Sequence, residues 1–398
     1  VPMRSENSSR LALTEDWQHG GFGLYIHWPF CAAKCPYCDF NSHVSRQIDQ
    51  DRWARAYLSE IERVGALTKG RVLNTVFFGG GTPSLMSPDT VHAILDRVRR
   101  VWPMANDPEI TLEANPGSVD TANFEAYAQA GVNRVSMGIQ ALNDTDLRRL
   151  GRIHSVADAR AAFDIARKQF DRVSFDLIYA RQDQSLSAWE AELRAALSMA
   201  VDHLSLYQLT VENGTAFGDR FLAGGLRGLP DDDLSADMYQ LTQDVCGEHD
   251  MFAYEVSNHA RAGAESRHNR IYWQYGDYAG IGPGAHGRLT INGQKLATVG
   301  WSMPDKWIST AERGDGTKDS TALSALDQAQ EYLLLGLRIS EGIDLDRLTT
   351  FGRTYVDDNK IDELVSLGMV TRRGNRLAAT SRGRLVLNAV IEELMPLE

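Results

Sequence analysis

Apolar and polar positions along the chain fall into two alternating regimes. Short apolar runs that end in glycine, proline or a polar residue recur six times. They are "LYIHWP" at 24–29, "TVFFGGGTPSLM" at 75–86, "EITLEANPGS" at 109–118, "RVSMGIQALND" at 134–144, "RVSFDLIYARQ" at 172–182 and "HLSLYQLTVENGT" at 203–215. Between them, apolar residues return at three- and four-residue spacing over about 47–66, 88–101, 120–130, 156–169 and 185–199, the period of an amphipathic helix. "SPDTVHAILDRV" opens with a Ser-Pro helix start. Strand, loop and helix repeated six times predict an α/β fold: a parallel sheet wound by crossover helices and closed into a barrel or half-barrel. In such barrels the chemistry gathers at the C-terminal ends of the strands, and the chain's glycines, carboxylates and cysteines fall at those ends.

The last hundred residues have another texture. "ALDQAQEYLLLGLRISEGIDLDRL" predicts a helix, a turn at Gly342 and a short helix. "IDELVSLGMVTRRGNRLAATSRGRLVLNAVIEELM" predicts helix, β-hairpin and helix, with the turn at Arg373-Gly374-Asn375. This is a winged-helix-like α+β pattern. The expected organisation is a leader over 1–20, a barrel over 21–300 and a C-terminal domain over 301–398, with the two domains packed closely.

Composition narrows the function. The chain has 398 residues and a net charge of −12. Nucleic-acid binders show a basic patch or stripe, and here there are only short clusters such as "RVRR" at 97–100. A winged-helix pattern on an acidic chain therefore points to a lid or protein-docking role rather than to DNA. No apolar run reaches the ~18 residues of a membrane helix, and "VPMRSENSSRLALTEDWQHG" has no apolar signal core. The expected location is the cytoplasm, with a frayed leader to about Gly20.

The cysteines carry the chemistry. Cys31, Cys35 and Cys38 crowd into "GLYIHWPFCAAKCPYCDF", while Cys246 stands alone on a helical stretch and reads as a small core hydrophobe. Three thiolates on one loop suit zinc or an iron–sulfur cluster. A structural zinc site wants four ligands, and His27 or His43 flanks the loop. A cluster held by three cysteines leaves one iron open to a substrate or cofactor.

C-x3-C-x2-C after the first strand and Gly79-Gly80-Gly81-Thr82-Pro83 after the second resemble the radical S-adenosylmethionine (SAM) superfamily. The resemblance implies a partial (β/α)6 barrel with a 4Fe-4S cluster on Cys31, Cys35 and Cys38. The open iron would chelate the amino and carboxylate groups of SAM. An electron from the cluster would then cleave its sulfonium bond to a deoxyadenosyl radical. It further implies that Gly80, Gly81 and Thr82 face the methionine moiety and that Glu113 binds the ammonium or ribose. Gln140, Arg152 and Asp176 would supply further SAM contacts, and Tyr25 and Tyr37 would pack on the cluster or adenine. Each of these could instead be core or surface. After "DLIY" many relatives continue Gly-Leu-Pro where this chain reads "ARQDQ", which puts the local geometry there in question.

Beyond the barrel, "YEVSNHA" at 254–260 and "SRHNRIYWQYGDYAGIGPGAHGR" at 266–288 are similar to the HemW branch of the coproporphyrinogen-oxidase-like proteins. His268, Asn269, Tyr272 and Trp273 match its H-N-x-x-Y-W signature, and the resemblance spans nearly all of 22–398, including a HemN-type C-terminal domain. HemW proteins are regarded as chaperones that bind heme and pass it to hemoproteins, including respiratory enzymes. The resemblance also implies a low-potential electron donor such as flavodoxin or ferredoxin. His268 could ligate heme iron, with Asn269, Tyr272 and Trp273 around it. Alternatively His268 and Asn269 bond a turn while the aromatics pack a domain interface. His286 reads as a loop-stabilising residue.

Two classes stay open: a heme carrier, and a radical SAM enzyme acting on a porphyrin. Two features point away from the coproporphyrinogen oxidases. Their extra cysteine two residues after the third is Phe40 here, and only about thirty residues precede Cys31.

Overall fold

The computed structural model describes residues 16–45, 47–352 and 354–396. The six expected apolar runs are strands: β1 (Phe22–Trp28), β2 (Leu73–Gly80), β3 (Met104–Ala114), β4 (Arg134–Gln140), β5 (Arg172–Tyr179) and β6 (His203–Gln208). The helices between them are α1 (Gln50–Leu67), α2 (Pro88–Val101), α3 (Thr121–Ala130), α4 (Asp144–Arg149), α5 (Val156–Gln169) and α6 (Leu186–Met199). Two more follow β6, α7 (Ala216–Leu222) and α8 (Asp232–Gly247). Caps set the helix starts. Ser87 accepts from Thr90 N with Pro88 in the first turn, and Ser155 and Asp158 form a capping box on α5.

β1 to β6 pair in parallel in chain order, and the sheet continues on both sides. β8 (Asn258–Ala260) adds antiparallel to β6, and β7 (Phe252–Ala253) antiparallel to β8. On the other edge β9 (Asp277–Ile281) pairs in parallel with β1. The antiparallel strands β10 (His286–Ile291), β11 (Gln294–Gly300) and β12 (Thr317–Ala322) complete twelve strands. The result is a partial barrel of six βα units carried on a longer sheet.

Alternation along each strand splits two environments. Leu24, Ile26, Val76, Phe78, Leu112, Val135, Phe175 and Leu204 face the helices in one continuous core. Their neighbours face the lumen, which is polar. Across it Arg134 Nη2 donates to Ser174 Oγ at 3.1 Å, and Ser174 Oγ meets Ser136 Oγ at 3.0 Å. The pairing Arg134↔Arg172, Ser136↔Ser174 in the β4–β5 register aligns these groups.

The N-terminal end of the lumen is closed by α9 (Arg267–Trp273), the segment of the H-N-x-x-Y-W motif. The Glu109 carboxylate receives the His268 backbone N–H at 3.0 Å and pairs with Arg172 at 2.7 Å. Burial raises the pKa of Glu109, but Arg134 and Arg172 outweigh it and hold the carboxyl below its ordinary range.

The second domain begins later than 301. α10 (Pro304–Ala311) and β12 belong to the barrel: Trp307, Ile308 and Ala311 lie in its core, and Trp307 stacks on Trp53 at 5.5 Å. Ser324 then caps α11 (Ala325–Gly336), the first element of a separate core. That unit continues through β13 (Ile343–Asp344), α12 (Leu345–Thr349), α13 (Asp358–Ser366), the hairpin β14 (Val370–Arg373) and β15 (Arg376–Ala379), α14 (Ser381–Leu385) and α15 (Leu387–Glu393). The hairpin is the expected one; β13, which the sequence pattern did not indicate, joins it to make one sheet in the order β13-β15-β14. Residues 1–15 of the expected leader lie outside the described residues. The rest of it is built in: Asp16–His19 is a helical turn, and Asp16 ion-pairs with Arg347 at 2.8 Å. This contact ties the start of the barrel to the C-terminal domain. Arg288 and Glu331 form a second tie at 2.7 Å.

Asp277 at the start of β9 anchors the strand additions. Its fully buried carboxylate meets Arg71 at 2.6 Å and Lys295 at 3.3 Å, and accepts from Thr290 Oγ1 at 3.1 Å. Removing one member of a buried ion cluster strands the others. Asp277→Ala is expected to cost about 3–5 kcal/mol in chemical denaturation. A loss below about 1 kcal/mol would show that water reaches Arg71 and Lys295.

Candidate cofactor site and the adjoining cavity

The cysteine loop leaves β1 at Pro29 and lies across the end of β2. A short parallel bridge pairs Phe30 with His43 and Cys31 with Val44, closing the loop on itself. Two backbone bonds fix it to the glycine run: Gly81 N to Trp28 O at 2.6 Å and Thr82 N to Phe30 O at 2.8 Å. The glycines are needed there. A Cβ on Gly81 would stand 2.6 Å from Phe30 O, and one on Gly80 2.5 Å from the His27 ring. Gly80 also has φ +108°, a conformation side chains resist.

Cys31, Cys35 and Cys38 border one cleft with Gly80, Gly81 and Thr82. Glu113, Gln140, Arg152 and Asp176 complete its wall. The fold therefore brings together residues from five strand ends that the sequence places more than a hundred positions apart. Thr82 Oγ1 lies 3.5 Å from Cys31 Sγ, Ser42 Oγ 4.0 Å from Cys38 Sγ, and Arg152 Nη1 3.3 Å from Cys35 Sγ. Burial raises the thiol pKa values of Cys31 and Cys38, and hydrogen bonds from Thr82 and Ser42 oppose it.

Arg152 also donates from Nη2 to Gly138 O at 2.6 Å, while its buried Nε has no partner among the described residues. An unpartnered donor, three half-buried thiols and a glycine cradle fit an iron–sulfur cluster with a small polar ligand beside it. Gln140 sits at a bulge that ends β4, with φ +76°. Tyr37 lines the cleft and packs on Phe217 with ring centroids 6.4 Å apart. Tyr25 is set apart from it: its hydroxyl meets His27 Nδ1 at 3.0 Å and its ring stacks on Phe77.

Glu113 and Asp176 are both half-buried in the wall of the cleft. Burial, with Asp176 nearby, pushes Glu113 up to about 8, although Gly80 N donates to it at 3.2 Å. Burial raises Asp176 to about 6, opposed by Ser205, Arg134 and Ser136. Neighbouring carboxyl groups resist joint ionisation, and a cationic group between them would relieve that repulsion. Arg134, which moderates both, went unnoticed in the sequence. Its signal was the repeated Arg-Val-Ser at 134–136 and 172–174, a charged residue starting each of two apolar strands.

The loop that reads "ARQDQ" is tied down by charge. Arg181 pairs with Glu192 at 2.5 Å and with Asp146 at 3.0 Å, and Gln184 Nε2 reaches Glu192 at 3.2 Å. Ala180 and Asp183 take positive φ of 57° to allow the turn.

His268 is elsewhere. It is 1% exposed, with Nδ1 2.6 Å from Thr75 Oγ1 and Nε2 2.7 Å from Tyr272 Oη. Its ring stacks on Phe77 at 5.0 Å, and burial lowers its pKa to about 3. In this arrangement neither ring nitrogen is free for iron. Asn269 N is bonded to the Ser266 cap at 3.3 Å, and Tyr272 packs edge-on against Tyr278. The indole N–H of Trp273 is buried and unpartnered among the described residues. The four residues close the barrel floor, nearer the hydrogen-bonding alternative than the ligand one. His286 is exposed, and Cys246 is in the core as expected.

The cleft opens into a cavity of about 900 Å3 between the barrel and the C-terminal domain. Tyr37, Cys38, Phe40, Glu113, Gln140 and Asp176 line both spaces. Tyr179, Tyr207 and Tyr239 extend the barrel side, and residues 384–389 form the other wall.

A barrel of βα units with three thiols laid on a glycine run is a radical SAM arrangement. The Radical SAM superfamily model matches residues 25–195, and the HemN C-terminal domain model matches 323–386. The chain is 36% identical to Escherichia coli "Heme chaperone HemW" over 93% of this chain and 97% of that protein. It is 38% identical to bovine "Radical S-adenosyl methionine domain-containing protein 1, mitochondrial", over 94% of this chain and 87% of that protein. The solved Escherichia coli coproporphyrinogen III oxidase HemN superposes with a TM-score of 0.78 at 20% identity, covering 95% and 92% of the two chains. That likeness concerns the fold. The chain belongs to the HemW family of radical SAM proteins, and superfamily membership implies SAM and a 4Fe-4S cluster. No helix among the described residues is long and apolar enough to cross a membrane.

The carboxyl pair sets a pH dependence. A folded-state pKa raised above the unfolded one gives stability that is full at low pH and lost as pH rises through the folded value. For Glu113 that loss runs up to about 8, and for Asp176 to about 6. The cofactor-free protein should therefore melt at lower temperature as pH rises across this range, and Glu113→Gln should flatten the decline. Parallel melting profiles for the two proteins would contradict the assignment.

Proposed function

We propose that the protein is a heme carrier: it binds heme, with SAM and a 4Fe-4S cluster at the cysteine cleft, and delivers the heme to hemoproteins such as respiratory enzymes. The single observation that carries this reading is the large cavity contiguous with the cleft, in a chain whose full-length bacterial relatives are named heme chaperones. Cys31, Cys35 and Cys38 would hold three irons of the cluster. Gly80, Gly81 and Thr82 would receive the methionine end of SAM by backbone approach, and Glu113 and Asp176 would accept its ammonium. Gln140 and Arg152 would orient the rest, with Arg152 also offsetting thiolate charge. The cluster, when bound, supplies an electron at low potential, which needs a donor such as flavodoxin or ferredoxin. Tyr37 and Phe40 would screen it from water on the cavity side. Of the heme candidates, His268, Asn269, Tyr272 and Trp273 would act by shaping the barrel floor rather than as iron ligands.

The second reading is an oxidase acting on a porphyrin, such as coproporphyrinogen III. It is favoured by the direct opening between cleft and cavity, which would bring a substrate edge against bound SAM. Against it stands Phe40, 60% exposed where the oxidases carry another cysteine.

The test is anaerobic. Protein reconstituted with iron and sulfide is titrated with heme, then given SAM, dithionite and coproporphyrinogen III. A saturable Soret shift without decarboxylated product is expected; turnover without heme binding would overturn the carrier reading. Cys35→Ala should lose its iron and keep its far-ultraviolet circular dichroism, whereas global unfolding would make the site structural. His268→Ala should melt at lower temperature, by about 1–3 kcal/mol of lost buried hydrogen bonds, yet leave heme affinity within about twofold.

A further inference from the structure

The cavity has two unlike walls. The barrel contributes carboxylates: Asp39, Glu212 and Asp232 line it, besides Glu113 and Asp176 deeper in. The C-terminal domain contributes two cations, Arg338 just after α11 and Arg384 in α14. Three other cations of that domain hold carboxylates and line no part of the cavity: Arg347 with Asp16, Lys360 with Glu393, Arg372 with Asp358. Among the described residues, neither Arg338 nor Arg384 is in an ion pair. Arg338 Nη2 donates to Asn388 Oδ1 at 3.3 Å, and Arg384 lies near enough to Tyr239 to act on its hydroxyl. The one carboxylate that acts on Arg338 is Glu255, itself buried and already accepting from Ser257 N at 3.0 Å and from Asn258. Burial lowers the pKa of Arg338, the mark of a guanidinium set into the wall without a full counter-charge.

Apolar groups flank these cations on the same wall. Leu385 is 45% and Val386 48% exposed, and both line the cavity with Leu387. A half-exposed leucine–valine pair between two unpaired guanidinium groups matches a ligand with a broad apolar face and acid groups on its edge. The two arginines come from separate elements, the turn after α11 and α14, so they can serve two carboxylates.

We infer that Arg338 and Arg384 form a carboxylate clamp that orients a flat, apolar, dianionic ligand in this cavity, acid edge toward the C-terminal domain and opposite edge toward the cysteine cleft. The clamp rests on the tetrapyrrole reading above and adds which way round the ligand lies. The acidic barrel wall enforces the orientation, because it repels a carboxylate placed there. Substituting the clamp leaves the cysteine cleft intact, since neither arginine lines it.

The test compares iron protoporphyrin IX with its dimethyl ester, which keeps the ring and masks both acids, by optical titration of the full chain. The intact protein should bind the diacid at least about tenfold tighter than the ester. Arg384→Gln and Arg338→Gln should each erase most of that preference while leaving ester affinity within about twofold. Melting curves establish that the variants fold; Arg384→Gln, on a partly exposed helix face, decides the matter if Arg338→Gln unfolds. Equal binding of diacid and ester by the intact protein would overturn the clamp and leave the heme reading standing, as would a preference that survives both substitutions. Failure of both probes to bind the intact protein would overturn clamp and heme reading together.

Discussion

Two backbone hydrogen bonds decide where this chain can do chemistry. Gly81 N to Trp28 O and Thr82 N to Phe30 O lay the cysteine loop directly on the end of β2. That contact is possible because neither Gly80 nor Gly81 has a side chain; a methyl group on either would occupy space already taken by the Phe30 carbonyl or the His27 ring. Everything else in the cleft is measured from it. Thr82 reaches Cys31, Gly80 N reaches Glu113, and Glu113 in turn faces Asp176 across the sheet. A loop held only by its own turn would leave three thiols free to drift relative to these carboxylates. Pinned to the strand end, it holds them in one frame with the polar lumen below.

That lumen imposes a second constraint. A barrel interior lined by Arg134, Arg172, Glu109, Ser136 and Ser174 gains little from hydrophobic burial, and each charge would be costly if left alone. The chain meets the cost by closing the floor with α9, whose backbone and His268 ring supply partners to Glu109 and Thr75. The H-N-x-x-Y-W segment thus holds up the same lumen whose upper end presents Glu113 and Asp176. Disturbing the floor would reach the cleft through Arg134, which acts on Glu109, Glu113 and Asp176 alike.

The sequence made the barrel legible because its two periodicities are strong there. Apolar runs ended by glycine, proline or a polar residue marked six of the seven parallel strands, β9 being the one missed, and C-x3-C-x2-C with Gly79–Gly81 pointed to the cleft. What it hid follows from the same physics. Arg134 and Arg172 sit inside apolar runs, so reading those runs by hydrophobicity missed the polar face. The barrel runs past residue 300 because α10 packs in its core and β12 adds antiparallel to its sheet, and nothing in their local pattern says which core they join. Trp307 does, but only through its stacking on Trp53. Asp16 and Trp17 looked like leader because their partners, Arg347 and Arg71, are remote in sequence. His268 invited a ligand role by its residue type, and its two hydrogen bonds are tertiary facts that spacing does not encode.

The position of the cavity bears on the choice between carrier and enzyme more than its size does. Six side chains, from Tyr37 to Asp176, line both it and the cysteine cleft. A ligand in one space therefore changes the charge and packing felt in the other, and such coupling is reciprocal: whatever SAM or the cluster does to the affinity for a cavity ligand, that ligand does to theirs. The carboxyl pair strengthens the link, since a cation settling at the cleft ionises groups that also face the cavity. Neighbouring occupancy of this kind can load and unload a carrier with no bond made or broken in the cargo. An oxidase needs the same adjacency, but it needs in addition a reacting atom held at one fixed distance from SAM. The wall that would fix that distance belongs to the C-terminal domain, which meets the barrel through a few ion pairs and one aromatic cluster around Tyr275. An interface of that kind suits opening and closing on a cargo better than it suits holding a substrate rigid.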